Sequence, residues 1–128
     1  MTPTIIPFYG AILGFVYIWL TIRVGKARKA SKIVLGSGGD VRLERAMRVH
    51  ANFAEYVPLA LILLIFMELR HDSPWLLNLL GLILLGGRLA HAYGMAQEPD
   101  DMRLRGGGTM ATVGVIAFAS FVLLIGGL

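Results

Sequence analysis

Four long apolar stretches constrain what this chain can fold into. They lie at Thr4–Ile22, Val49–Met67, Trp75–Tyr93 and Thr109–Leu128, and each is close to the ~20 residues that a helix needs to cross ~30 Å of hydrocarbon. With 56% hydrophobic residues and a mean hydropathy of +0.71, the chain is too apolar for an ordinary soluble domain. The sequence therefore predicts an all-α fold, a single integral membrane domain that forms a four-helix up-down bundle.

The predicted helices extend beyond the apolar stretches where the flanking residues permit it. We place them at about residues 4–25, 44–69, 74–93 and 107–128 of the single domain 1–128. Ser73 is a predicted N-cap and Pro74 a predicted first residue of the third helix. The triplet Gly106-Gly107-Gly108 is predicted to lead into the fourth helix.

Basic residues are concentrated in the first and third connections, whereas the second has only Arg70. By the positive-inside rule, connections one and three are predicted to face the cytoplasm and both termini to lie outside. The net charge of +4 then requires no nucleic acid, because basic residues beside a membrane meet anionic head groups. We expect membrane lipids, and no nucleic acid, to contact these residues.

The second apolar segment begins with an unusual row of polar side chains. At ~100° per residue, Glu44, Arg48, Asn52 and Glu55 fall within an arc of roughly 80°, which we call the polar stripe. Ionisable residues are costly inside a bilayer, so in a spanning helix they usually line a site or a protein interior. One thin bundle cannot readily enclose this row, and a closed homo-oligomer would bury it between subunits.

Further basic residues converge on the same side of the predicted bundle. Arg88 and His91 share a face near the end of the third helix, and Arg105 lies at the head of the fourth. Guanidinium groups suit carboxylate or phosphate ligands, and Asn52 and Glu55 could hold a ligand amine. The alternative is that pairs of the Arg48–Glu55 and Arg88–Glu44 type only neutralise each other; the surplus of positive charge favours an anionic ligand.

Other chemistries have less support in the sequence. The three histidines are scattered over different helices and membrane sides, so we predict no metal site. The chain has no cysteine, so any sulfur chemistry requires a bound ligand. The glycine triplet at 106–108 lacks the strand and the Lys-Ser/Thr context of a phosphate-binding loop.

The run from Glu44 to Pro58, with Arg48, Asn52, Glu55 and Tyr56 at its characteristic positions, resembles the second-helix signature of the MAPEG family (membrane-associated proteins in eicosanoid and glutathione metabolism). The similarity extends to Gly87-Arg88 with His91, to an Arg at the head of the fourth helix, and to the length and number of spans. The similarity covers essentially the whole chain. The chain resembles a bacterial-type member of the family, located in the inner membrane.

The resemblance implies a homotrimer that binds glutathione, as co-substrate, between neighbouring subunits near the cytoplasmic surface. The residues that match glutathione-binding positions of the family are Arg28, Arg48, Asn52, Glu55, Tyr56, Arg88 and His91. In catalytic members an Arg at the start of the fourth helix stabilises the glutathione thiolate, and Arg105 matches it by position. Arg103 is only two residues away, and the glycines after Arg105 depart from the polar run of some members.

The leading hypothesis is a glutathione transferase that conjugates the thiolate to a hydrophobic electrophile from the bilayer. A non-catalytic protein that binds a lipid or another ligand on the same scaffold is the second hypothesis, since one family member binds lipid without catalysis. The third is a structural membrane bundle whose polar stripe fixes subunit register. The orientation of Arg105 relative to Arg48 and Glu55 separates the first from the others.

Overall fold

The computed structural model describes residues 2–97 and 99–126, and within them it contains four α-helices and no strand. The helices are α1 (Ile5–Ser31), α2 (Val41–Leu69), α3 (Pro74–Ala96) and α4 (Met102–Gly126). Each is long and apolar enough to cross a membrane. The all-helical, four-span prediction is confirmed, and the predicted end of the fourth helix at Leu128 lies outside the described residues.

Consecutive helices run antiparallel, as their end contacts demonstrate. Glu68 at the end of α2 contacts the first residues of α1, and Arg45 near the start of α2 contacts Met95 near the end of α3. Helix α2 packs against each of the other three helices, and α1 also packs against α3. We call the end with the α1–α2 and α3–α4 connections the charged end, and the other the terminal end.

The core between the helices is mostly apolar, with Arg88, His91 and Thr112 as buried polar side chains. Its buried side chains come from all four helices and include Ile6, Leu13, Leu20, Phe53, Val57, Leu64, Leu77, Leu84, Val115 and Ala119. Large apolar residues are also exposed on the outside of the bundle, among them Phe8, Phe15, Trp75, Phe118 and Phe121. An apolar surface of this extent is the one that a bilayer solvates, so the fold is that of an integral membrane protein.

All four helices begin or end at different residues from those predicted, and α3 continues to Ala96, three residues beyond its predicted end at 93. Helix α1 continues to Ser31 and ends at Lys32, which adopts a left-handed conformation with φ 59°. Helix α2 begins at Val41 because the Asp40 side chain accepts a hydrogen bond from the Leu43 amide at 2.9 Å. Helix α4 begins at Met102, five residues before the predicted start at 107, so the glycine triplet lies inside the helix.

Glycines bring α3 and α4 into close contact at the charged end. A methyl group on Gly94 would lie 2.6 Å from the Arg105 amide nitrogen, and one on Gly108 would lie 2.8 Å from the His91 Cβ and closer still to the Gly87 carbonyl. Gly106 and Gly107 face open space. Gly87, Gly94 and Gly108 therefore form a seam, the glycine seam, along which the two backbones approach as closely as small residues allow.

At the terminal end, the Glu68 carboxylate joins α2 to the start of α1. Glu68 accepts hydrogen bonds from the amides of Thr4, Ile5 and Ile6 at 2.7, 2.7 and 2.8 Å, which are donors that no intrahelical carbonyl can satisfy. Arg70 next to it donates to Asp72 at 2.8 Å and to the Val122 carbonyl at 3.1 Å. These contacts join the first turn of α1, the end of α2 and the end of α4.

Candidate functional site

A buried arginine joins three helices near the charged end. Arg88 of α3 is only 2% exposed. Its Nη2 donates to Asn52 Oδ1 of α2 at 2.5 Å, and its Nη1 donates to Thr112 Oγ1 of α4 at 3.2 Å. The Thr112 hydroxyl donates its own hydrogen to the Gly108 carbonyl at 3.0 Å. The lone pairs of the Thr112 oxygen are therefore available to accept from Arg88. We call Asn52, Arg88 and Thr112 the arginine bridge.

The bridge determines which atoms of Asn52 are available to a ligand. A guanidinium group carries donors and no acceptor, so the amide oxygen must be the atom that faces Arg88. Asn52 is half-buried, and within the described residues its side chain bonds through the oxygen to Arg88, while its two N–H donors have no partner there. The arrangement thus presents Asn52 as a donor to a carboxylate or carbonyl oxygen, rather than as the partner of a ligand amine that the sequence suggested.

The charge of Arg88 is not neutralised by a carboxylate within the described residues. Both hydrogen-bond partners of its guanidinium are uncharged, and the buried atoms Arg88 Nε and His91 Nδ1 have no partner in the described parts of the chain. Burying a charge without a counter-charge is unfavourable. The arginine bridge therefore gives the interior of the bundle a positive potential next to Asn52.

The outer members of the polar stripe point away from the bundle. Arg48 and Glu55 are exposed, whereas Asn52 between them and Tyr56 beside it are half-buried. Neither an Arg48–Glu55 pair nor an Arg88–Glu44 pair is among the ion pairs of residues 2–97 and 99–126. The described residues of the single chain therefore do not show the mutual neutralisation by these pairs, and the exposed side chains of Arg48 and Glu55 are accessible to a ligand or a neighbouring subunit.

A carboxylate holds two arginines together where α3 passes into α4. Asp100 Oδ2 accepts from Arg105 Nη1 at 2.7 Å, and its Oδ1 accepts from Arg45 Nη1. Arg45 also donates to the carbonyls of Met95 and Gln97 at 3.3 and 3.0 Å. The Arg105 side chain is 42% exposed. Its guanidinium therefore lies at the surface of the charged end, bound to Asp100 instead of to a member of the polar stripe.

Arg28, the candidate from α1, folds over the first connection. Its Nη1 donates to the carbonyls of Ile33 and Gly36 at 3.3 and 2.8 Å, and its Nη2 lies 3.7 Å from the Met47 sulfur. These contacts tie residues 33–36 back onto α1. Within the single chain Arg28 has a structural role, and its guanidinium is half-buried.

Comparison with known proteins identifies the family. A sequence model of the MAPEG family matches residues 6–125. The chain belongs to the MAPEG family. It is also similar to the inner membrane protein YecN of Escherichia coli, in strains K12 and O6:H1, with 34% identity over 86 residues. The match covers 67% of this chain and 66% of each relative, so the chain spans just under two thirds of their length.

The structure of this MAPEG member brings together only part of the predicted site. Asn52 and Arg88 are in direct contact, and His91 is buried against Gly108. Arg48 and Glu55 lie on the outer surface of the same region, while Arg28 and Arg105 are held by contacts of their own. A site that used all of these residues would have to be completed from outside a single subunit.

Three features of this MAPEG chain were missed in the sequence. Thr112 could have been noticed, because a hydroxyl residue in an apolar helix usually has a partner across the interface. The glycine seam was hidden by the reading of residues 106–108 as a lead-in to the helix. Asp100 carried no sequence signal, since its bridging of Arg45 and Arg105 depends on the path of the α3–α4 connection.

Proposed function

We propose that this MAPEG protein binds glutathione at the polar stripe, as a homotrimer, and transfers it to a hydrophobic electrophile from the bilayer. The observation that carries the proposal is the arrangement on α2: Arg48 and Glu55 are exposed on either side of Asn52, whose amide is oriented by Arg88. Glutathione has two carboxylates and one ammonium group. Two donors of the Arg and Asn type and one carboxylate match that pattern of charge.

The exposure of Arg48 and Glu55 supports the proposed assembly. Charged side chains on the outside of a spanning helix are unfavourable against lipid, so a second subunit would cover them. We infer that the charged end faces the cytoplasm, since it carries all the Lys and Arg residues of the chain except Arg70. The ligand then enters from the aqueous side and the electrophile laterally from the bilayer.

The chemical step requires a positive charge near the ligand sulfur. Arg105 is the proposed source, because a guanidinium group that interacts with the thiolate but less with the thiol favours the reactive form. In the single chain Asp100 holds Arg105, so the bound thiolate competes with that carboxylate. This ion pair also favours the second candidate, a non-catalytic binding protein in which Arg105 remains with Asp100 throughout.

Calorimetry with purified protein in mild detergent tests the binding step. Arg48→Ala and Glu55→Ala are each expected to weaken glutathione binding roughly ten- to hundredfold, because a lost charge-assisted contact costs about 1.5–3 kcal/mol. Lys29→Ala, which removes an exposed charge of the same end, is the control and leaves the affinity nearly unchanged. If the unmodified protein fails to bind glutathione, the proposal is wrong for this chain.

The thiolate absorbance of bound glutathione separates transferase from binder. Arg105→Ala should abolish most of that absorbance at neutral pH and slow conjugation of a generic hydrophobic electrophile by ~10²–10³, with a smaller effect on binding. Arg103→Ala is the matched control, since its side chain lies about 200° away around α4. Equal effects of the two substitutions would indicate that the thiolate responds only to the overall positive charge of the surface, and not to Arg105 in particular. Binding without any thiolate would favour the non-catalytic candidate, and native mass analysis showing only monomers would exclude the trimer.

A further inference from the structure

A second basic site lies at the charged end, apart from the proposed glutathione site. A cavity of about 410 Å³ opens between α1, α2 and α3. Its lining consists of three arginines and a set of small or apolar side chains: Arg23, Arg42, Arg45, Ala27, Ala46, Val49, Met95 and Ala96. It contains no residue assigned to glutathione and no carboxylate side chain. We call it the three-arginine cavity.

The cavity carries a surplus of positive charge. Arg45 is bound to Asp100, but neither Arg23 nor Arg42 forms an ion pair within residues 2–97 and 99–126. The Arg23 guanidinium lies over the Trp19 ring at 5.1 Å from its centroid, a contact that orients the group without neutralising it. A concave surface lined by charge of one sign concentrates ions of the other, so the cavity attracts an anion.

The chemistry and location of the cavity point to a phosphate group. Guanidinium forks bind phosphate oxygens with two parallel hydrogen bonds. The volume exceeds that of a phosphate ion, which leaves room for an attached alcohol, and the lining also includes the apolar side chains of Ala27, Ala46 and Val49. Trp19 and Arg23 lie in α1 where its apolar stretch gives way to basic residues, which is the level expected for lipid head groups.

We propose that the three-arginine cavity binds a phosphate group, either that of an anionic phospholipid or free phosphate. Arg23 and Arg42 supply the uncompensated charge, and Arg45, held in place by Asp100, completes the rim. The proposal is independent of glutathione binding, because the two sites share no residue.

Native mass spectrometry of protein released from nanodiscs tests the lipid source. The nanodiscs contain equal parts of phosphatidylglycerol and phosphatidylcholine, and the unmodified protein is expected to retain phosphatidylglycerol selectively. The double variant Arg23→Gln with Arg42→Gln should lower the retained fraction by at least about tenfold, since two charge-assisted contacts are lost. The matched double variant Lys26→Gln with Lys29→Gln removes the same charge from exposed positions on α1 and should retain the lipid.

Inorganic phosphate, added to delipidated protein in neutral detergent, tests the soluble source. Trp19 fluorescence in a Trp75→Phe background reports the site, because a phosphate that draws Arg23 away changes the environment of the ring.

Saturable quenching by phosphate with no lipid retention assigns free phosphate, and retention without quenching assigns the phospholipid. The proposal is overturned if neither ligand binds the unmodified protein, or if both double variants lose binding equally. Unchanged glutathione affinity in the Arg23/Arg42 variant, with an unaltered helical circular dichroism spectrum, distinguishes this result from failure of the glutathione proposal.

Discussion

The two ends of the bundle differ in how many of their charged side chains are paired within the described residues. At the terminal end, Glu68 accepts three backbone amides and Arg70 is held by Asp72 and a carbonyl. At the charged end, Arg48 and Glu55 are exposed without an ion-pair partner in the described residues. Charges that are saturated within the chain stabilise it, whereas charges left unsaturated can bind something else. The comparison separates a structural end from the end at which we propose that a ligand binds.

The strongest test of that separation is to remove the carboxylate that closes the terminal end. Glu68→Ala leaves three amides at the start of α1 without an acceptor, and we expect the protein to lose about 3 kcal/mol of unfolding free energy. Reversible unfolding in mixed detergent measures the change. Glu44→Ala, which removes an exposed carboxylate from the charged end, should leave the transition midpoint unchanged. Similar losses in both variants would mean that the ends do not differ as described.

A second test concerns the glycine seam, which supports the charged end. Gly108→Ala places a methyl group against the Gly87 carbonyl and His91, and overpacking of this kind costs about 1–3 kcal/mol. Gly107→Ala adds the same methyl group where nothing lies within 4 Å and should stabilise α4 by about 0.5–1 kcal/mol. Thermal unfolding in detergent compares the pair. A destabilised Gly107→Ala variant would show that residue 107 is covered in the assembled protein.

The N-caps of α2 and α3, one at each end of the bundle, provide a smaller test. The Asp40 side chain accepts from the Leu43 amide at 2.9 Å, whereas Ser73 forms no side-chain cap bond. Asp40→Ala at the charged end should therefore cost about 1 kcal/mol, and Ser73→Ala at the terminal end clearly less. The readout is the same detergent unfolding curve. If Ser73→Ala proves the more costly change, the cap geometry of α3 differs from that described.

The smallest expected effect on stability comes from Asp100. Its pairs with Arg45 and Arg105 are partly exposed, so Asp100→Asn should alter the unfolding free energy by less than about 1 kcal/mol. The same change releases Arg105, and glutathione affinity should rise by about threefold, equivalent to roughly 0.6 kcal/mol. Titration calorimetry at low and high salt measures it. A weaker affinity would mean that Asp100 positions Arg105 for the ligand rather than restraining it.

Hydropathy sufficed for the four spans because a bilayer forces every backbone group into a helix. It could not locate the helix ends, which depend on individual side chains. Asp101 Oδ1 accepts from the Arg103 and Leu104 amides at 3.1 and 3.3 Å, which explains why α4 starts before the glycine triplet. The triplet resembled a flexible linker. Gly108 nevertheless lies inside α4, where a side chain would clash with Gly87 and His91 of α3.

For the candidate site, helical spacing placed the polar stripe on one face but could not assign neighbours to it. Whether Asn52 turns inward to Arg88 while Arg48 turns outward depends on where α3 and α4 pack, and that is a tertiary property. Arg28 was chosen by its position along the chain, yet its contacts are with the connection that follows it. The partner of Arg105, Asp100, depends on a turn that no periodicity describes.

The carboxylate of Glu68 also imposes an order on biosynthesis. The amides it binds belong to residues 4–6 and are separated from it by 62 to 64 positions in the chain. When the first helix is synthesised, the amides of residues 4–6 therefore have no carboxylate to donate to. That acceptor exists only after the last turn of the second helix has been translated. The α1–α2 hairpin is therefore the shortest N-terminal segment that contains both these donors and their acceptor.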